Sequence, residues 1–133
     1  LVLNDSEAKL LTDDDNLVRA GNAIRLMGPK FVVIKKGEHG AIFFGENETY
    51  VLPAFPTPDV VDPTGAGDSF AGGMMGYLAE KDCHNPKTLK EALAYGTLTA
   101  SFTVEDFSLD RLQAIGRKDL DRRMEEYRKM LSF

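Results

Sequence analysis

Short apolar runs alternate along this chain with stretches of helical periodicity, and that alternation reads as an α/β protein. Leu1-Val2-Leu3 has the character of the end of a buried strand. Asn4-Asp5-Ser6-Glu7 follows as a capping segment, continued by Ala8-Lys9-Leu10-Leu11 as a short helix. Thr12-Asp13-Asp14-Asp15 offers a second cap, ahead of Leu17, Val18, Ala20, Ile24 and Leu26-Met27, which recur at helical spacing. Gly28-Pro29 should close that helix. Phe31-Val32-Val33-Ile34, bounded by Pro29 and Gly37, predicts a buried parallel strand of the kind that follows a helix in a βαβ unit.

Ala41-Ile42-Phe43-Phe44 and Thr49-Tyr50-Val51-Leu52 flank Gly45-Glu46-Asn47-Glu48, the pattern of a hairpin with a four-residue loop. Pro53, Pro56, Pro58 and Pro63 keep the next stretch extended. A helix rich in small residues then begins after Thr64-Gly65-Ala66-Gly67-Asp68 and runs through Ala79. Gly72, Gly73 and Gly76 beside Met74 and Met75 suggest that it packs closely on the sheet. Asn85-Pro86 starts another helix, carrying Leu89, Ala92, Leu93 and Leu98 and continuing to Val104. Ser108 and Asp119 are expected caps of two final helices, the last a mixed-charge surface helix with Arg122-Arg123, Glu125-Glu126 and Lys129. No repeat or linker divides the chain, so residues 1–133 read as one α/β unit with its sheet covered by helices.

The net charge of −5 disfavours a polyanion such as nucleic acid, whose binding is largely phosphate neutralisation by Lys and Arg. It leaves small phosphorylated ligands open, because backbone amides and a metal ion can hold them. Cys83 is the single cysteine, which rules out a disulfide within the chain and fits a reducing, cytoplasmic setting. No apolar run approaches the length of a membrane span. His39 and His84 lack partners at metal-ligand spacing, so no zinc site is expected, and Asp13-Asp14-Asp15 reads as negative charge at a helix start.

Asp62-Pro63-Thr64-Gly65-Ala66-Gly67-Asp68 is the segment with chemistry in it. Two glycines allow a ligand close to the backbone, and the following helix aims its first free N–H groups at the same place. Asp68 sits in the first turn, where a carboxylate would repel a bound phosphate. That placement makes sense if Asp68 takes a proton from a hydroxyl that attacks the phosphate. Taken alone, the same residues also suit a tight turn with an acidic cap.

The run from Asp62 to Gly73 resembles the second signature of the PfkB carbohydrate kinases, a ribokinase-like family. Asn4-Asp5-Ser6-Glu7 is similar to the family's upstream Asn-x-x-Glu element, and Ile34-Lys35-Lys36-Gly37-Glu38-His39-Gly40 to the strand and Gly-x-x-Gly turn between them. The resemblance runs to about residue 105 and is loose beyond it. It implies a partial three-layer α/β/α fold, with a mostly parallel sheet and a β-hairpin, that lacks the N-terminal half. It further implies phosphoryl transfer from ATP, with Mg²⁺, to a hydroxyl of a sugar or sugar-like acceptor. In that reading Asp68 is the base, and the amides of Gly65, Ala66 and Gly67 form the anion hole. Asn4 and Glu7 help place the phosphates, Glu7 reaching Mg²⁺ through water, while Lys35, Gly37, Gly40 and Thr64 line the nucleotide. Asp62, with Thr64, falls where some relatives hold a monovalent cation such as K⁺. Two departures stand out: Lys35 replaces the more usual Thr or Ser, and Tyr95-Gly96-Thr97-Leu98-Thr99 lacks the Asn often found near the adenine.

Acceptor contacts and the lid of such kinases lie in the half that this chain does not carry. Efficient phosphorylation by these residues alone is therefore not expected, and an unpaired sheet edge predicts self-association or marginal stability. A nucleoside or vitamin kinase of the same fold, a nucleotide-binding module without catalysis, and a ligand-free α/β fragment are the rival readings.

Overall fold

A computed structural model describes residues 1–107 and 110–133, so the cap expected at Ser108 lies outside the described residues. Two compact units are present, Leu1–Ala54 and Phe55–Phe133.

The first unit runs β1 (Val2–Asn4), α1 (Asp5–Thr12), α2 (Leu17–Leu26), β2 (Val32–Lys35), a 3-10 turn (Gly37–His39), β3 (Ala41–Phe44) and β4 (Thr49–Leu52). The sheet order is β1-β2-β3-β4, with β1 and β2 parallel and the other two junctions antiparallel. The sheet is thus mixed where a mostly parallel one was expected. Parallel neighbours need a long crossover, which residues 5–31 supply between β1 and β2. The tight turn after β2 and the loop at 45–48 return the chain at once and leave no option but antiparallel pairing. The hairpin is the predicted one, with Phe44 opposite Thr49 and the loop closed by Gly45 N–H donating to the Glu48 carbonyl at 2.8 Å.

Alternation along the strands splits this unit's apolar residues between two faces. Leu3, Val32, Ile34, Ile42 and Phe44 pack with Ala8, Ala20 and Ile24 of the two helices. On the opposite face Val33, Phe43 and Tyr50 stand in register, and the Phe43 ring stacks on both Tyr50 and Phe31, at 5.1 and 5.6 Å between centroids. Helix α2 is capped by Asn16, which accepts from Val18 N–H and Arg19 N–H, both at 3.0 Å. The aspartate run expected to cap it instead supplies Asp14 to a two-bond pair with Arg19.

Gly21 lets α2 approach the sheet, since a Cβ there would stand 2.3 Å from the buried Phe44 ring. Gly21→Ala should therefore lose about 1–2 kcal/mol of stability, even though helix propensity alone favours Ala by about 1 kcal/mol. Urea unfolding followed by circular dichroism measures this, and a gain in stability would show that the ring yields freely.

The second unit contains α3 (Ala66–Lys81), α4 (Pro86–Thr103), α5 (Asp110–Ala114) and α6 (Arg117–Leu131). Helix α4 starts at Asn85-Pro86 as predicted, and Asn85 caps it by accepting from Thr88 N–H at 2.8 Å. Small residues set the α3–α4 approach. A Cβ on Gly73 would lie 2.4 Å from the Thr99 hydroxyl, and one on Gly96 would lie 2.7 Å from the Phe70 carbonyl oxygen. Gly73 thus serves helix–helix packing rather than the helix–sheet packing expected of it. Met74 is buried on α3 and Met75 is exposed. Leu98 of α4 packs with Met124 and Tyr127 of α6.

Helix α6 begins earlier than the cap predicted at Asp119. Gly116 is its N-cap, and Asp119 lies in the first turn, accepting from Gly116 N–H at 2.9 Å. Nor is α6 wholly a surface helix, since the Arg123 guanidinium lies 3.5 Å from the centroid of the Phe102 ring. Among the described residues, no helix is long and apolar enough to cross a membrane.

Candidate functional site

In the second unit the predicted segment folds into a single turn at the start of α3. Gly65 takes the left-handed conformation, φ 81°, while the nearest atom to a Cβ there would be 4.0 Å away. Backbone conformation, not space, is what demands glycine at this position. Ser69 N–H donates to the Gly65 carbonyl at 2.9 Å, and Ala66 N–H donates to the Pro63 carbonyl at 3.2 Å. Among the described residues, the N–H groups of Gly65, Gly67 and Asp68 donate to nothing. The open set thus differs from the sequence reading: Ala66 is occupied and the amide of Asp68 itself joins. Its position as the third helical residue could have signalled this, since the first turn leaves such donors unpaired.

The Asp68 side chain is exposed at this helix start. Asp62 accepts from Thr64 N–H at 2.9 Å, an Asx turn that preshapes the loop. Hydrogen bonds from the Thr64 backbone and then its hydroxyl hold the Asp62 carboxyl below the usual carboxylate range. The carbonyl of Val104, just past α4, accepts from Val61 N–H at 2.7 Å and Asp62 N–H at 3.3 Å. Beneath the turn, the buried Thr103 hydroxyl meets that of Ser69 at 2.7 Å.

In the first unit, two predicted elements meet at the C-terminal ends of parallel neighbours β1 and β2, where Asn4 and Lys35 are register partners. That edge is where open α/β sheets place ligands. Asn4 and Glu7 form a reciprocal capping box: Glu7 N–H donates to Asn4 Oδ1 at 2.8 Å, and Asn4 N–H donates to Glu7 Oε2 at 2.7 Å. Beyond Lys35, Gly37 (φ 58°) and Gly40 (φ 85°) make the turn, closed by Lys36 N–H donating to the Gly40 carbonyl at 2.7 Å. A Cβ on Gly40 would stand 2.0 Å from the Leu52 carbonyl oxygen. Among the described residues, no cluster of three or more His, Cys, Asp and Glu side chains is arranged to hold a metal ion.

The fold is a partial ribokinase-like α/β fold. Aminoimidazole riboside kinase from Salmonella enterica, solved in complex with aminoimidazole riboside and an ATP analog, superposes with a TM-score of 0.81 at 26% identity, over 92% of this chain and 41% of that one. The chain belongs to the pfkB family of carbohydrate kinases, whose sequence profile matches residues 1–113. A nucleoside kinase of Thermoplasma acidophilum is 34% identical over 112 residues, covering 80% of this chain and 34% of the relative. Fructokinase-2 of Zea mays is 33% identical over 96 residues, covering 71% and 28%. The chain thus spans about a third of the length of the curated relatives it matches.

Proposed function

We propose that residues 1–133 are the nucleotide-binding and catalytic part of a kinase domain that transfers the γ-phosphate of ATP to a hydroxyl of a sugar or nucleoside. Support comes from family membership and from relatives named for both kinds of acceptor. The observation that carries it is the exposed Asp68 carboxylate set beside open N–H groups at the start of a 16-residue helix.

Asp68 accepts the proton of the attacking hydroxyl, and the amides of Gly65, Gly67 and Asp68 stabilise charge on the transferring phosphoryl group. Ala66 joins that anion hole only if its N–H leaves the Pro63 carbonyl. Mg²⁺ bound with the nucleotide supplies charge neutralisation on the phosphates. The donor set fits such an ion held through water: Glu7 is exposed and, among the described residues, only its Oε2 is engaged. Asn4 supports Glu7 through the capping box, and Lys35 with the Gly37–Gly40 turn lies along the nucleotide. Asp62 and Thr64 are assigned to a monovalent cation such as K⁺. An exposed, unpaired Cys83 thiol suits a cytoplasmic enzyme.

Saturating Mg-ATP should raise the melting temperature by several degrees, because ligand at about 100 times Kd adds about 2.7 kcal/mol to the folded state. Calorimetry of the intact protein measures this. Gly65→Val, which a left-handed φ does not tolerate, should abolish the shift. A shift of the same size in that variant would remove the turn from the nucleotide site.

A further inference from the structure

Glu105 lies just past α4 and outside every motif read from the sequence. Its side chain is only 11% exposed, and that of its partner Arg123 on α6 only 16%. The pair is close, with Arg123 Nη2 at 2.8 Å from Glu105 Oε1. Arg123 is held from two further directions, by the Ser101 hydroxyl at 2.9 Å and by the Phe102 ring. Arg111 Nε approaches the other Glu105 oxygen at 3.5 Å. So much machinery around one carboxylate calls for a reason, since a buried pair adds little net stability over an apolar one.

The third partner of Glu105 supplies that reason. Thr57, in the proline-rich stretch that leads to the Asp62–Asp68 turn, donates its hydroxyl to Glu105 Oε1 at 3.3 Å, and the same hydroxyl oxygen accepts from Asp59 N–H at 3.3 Å. The next residue back, Val104, holds Val61 and Asp62 through its carbonyl. Two consecutive residues after α4 therefore grip the loop at both 57–59 and 61–62, and the loop passes directly into Gly65 and the open amides.

We propose that Glu105, fixed by Arg123, is a positioning residue that sets the entry angle of the 57–65 loop, and through it the alignment of the Asp68 carboxylate and the amides beside it. The inference rests on the kinase reading above. Alignment errors near 1 Å cost up to about 100-fold in rate, so the effect belongs in kcat rather than in nucleotide affinity.

Two mild substitutions in the intact protein test it, because removing the whole side chain would leave the buried Arg123 charge without the carboxylate that pairs with it. Glu105→Gln keeps an acceptor for Thr57 but drops the charge, and Thr57→Val drops only the hydroxyl. Each should lower kcat by about 10-fold or more while KM for Mg-ATP stays within about twofold. The double variant should be no slower than the slower single one, and amide exchange at Val61 should quicken in both. With Asp68→Asn inactive, unchanged kcat in both single variants would overturn the positioning role and leave the kinase reading standing. A kcat loss that only tracks the unfolded fraction at the assay temperature would overturn it as well. Full activity in Asp68→Asn would sink the kinase reading itself, and this inference with it.

Discussion

Asp68→Asn in the intact protein should lower kcat for the proposed phosphoryl transfer by about 10²–10⁴-fold while the Kd for Mg-ATP changes by less than about threefold. The substitution keeps shape and, on the proposed mechanism, removes only the ability to accept a proton from the attacking hydroxyl. Nucleotide binding should survive because the amides of Gly65, Gly67 and Asp68 belong to the backbone and stay in place. Losing a negative charge next to a bound anion would, if anything, tighten binding slightly. Folding is little affected: the side chain is exposed, and the helix-dipole contribution of one first-turn carboxylate is about 0.3–1 kcal/mol. Steady-state kinetics with titration calorimetry on the same preparation separate the two quantities. Unchanged turnover would remove Asp68 from the chemistry.

Gly40→Ala gives the largest expected loss of stability, about 3 kcal/mol or more. Two independent costs fall on one atom. The backbone at φ 85°, ψ −146° lies in a region that side chains rarely enter, and the new methyl would overlap the Leu52 carbonyl oxygen and the backbone of Pro53. Neither obstacle can swing aside as a side-chain tip could, since both are main chain, and Leu52 is held in the sheet opposite Ala41. Urea titration of the intact protein should show a lower midpoint with little change in slope. A loss no greater than that of Gly21→Ala would mean that β4 moves away at small cost.

How much of this was legible in the sequence depends on the distance over which each feature is determined. The hairpin at 41–52, the helix start at Asn85-Pro86 and the capping segment Asn4–Glu7 came through because residues within four positions decide them. The glycine turns did too, since their backbone angles are local. The sheet's mixed character was obscured by the family expectation, although the short turns after β2 and β3 already required it. Asn16, not the aspartates before it, caps α2 because Asp14 is drawn into its pair with Arg19, a competition that spacing alone cannot rank. That Ala66 N–H is taken was also hidden, since it depends on Pro63 turning its carbonyl toward Ala66. Glu105 and Arg123 were beyond reach altogether: 18 positions separate them, and each alone looks like an ordinary surface charge.

Helix α4 carries a constraint of another kind. Gly96 fits against the Phe70 carbonyl and Thr99 against Gly73, while Thr103 meets Ser69 and Val104 holds the loop. Removing one residue between Gly96 and Val104 would rotate everything beyond it by about 100° and draw it back by about 1.5 Å. No adjustment of side chains could then keep both ends engaged. The stretch works as a ruler: its letters are free to drift wherever they face water, but its length is not, so insertions and deletions should accumulate anywhere in this unit before they are tolerated here.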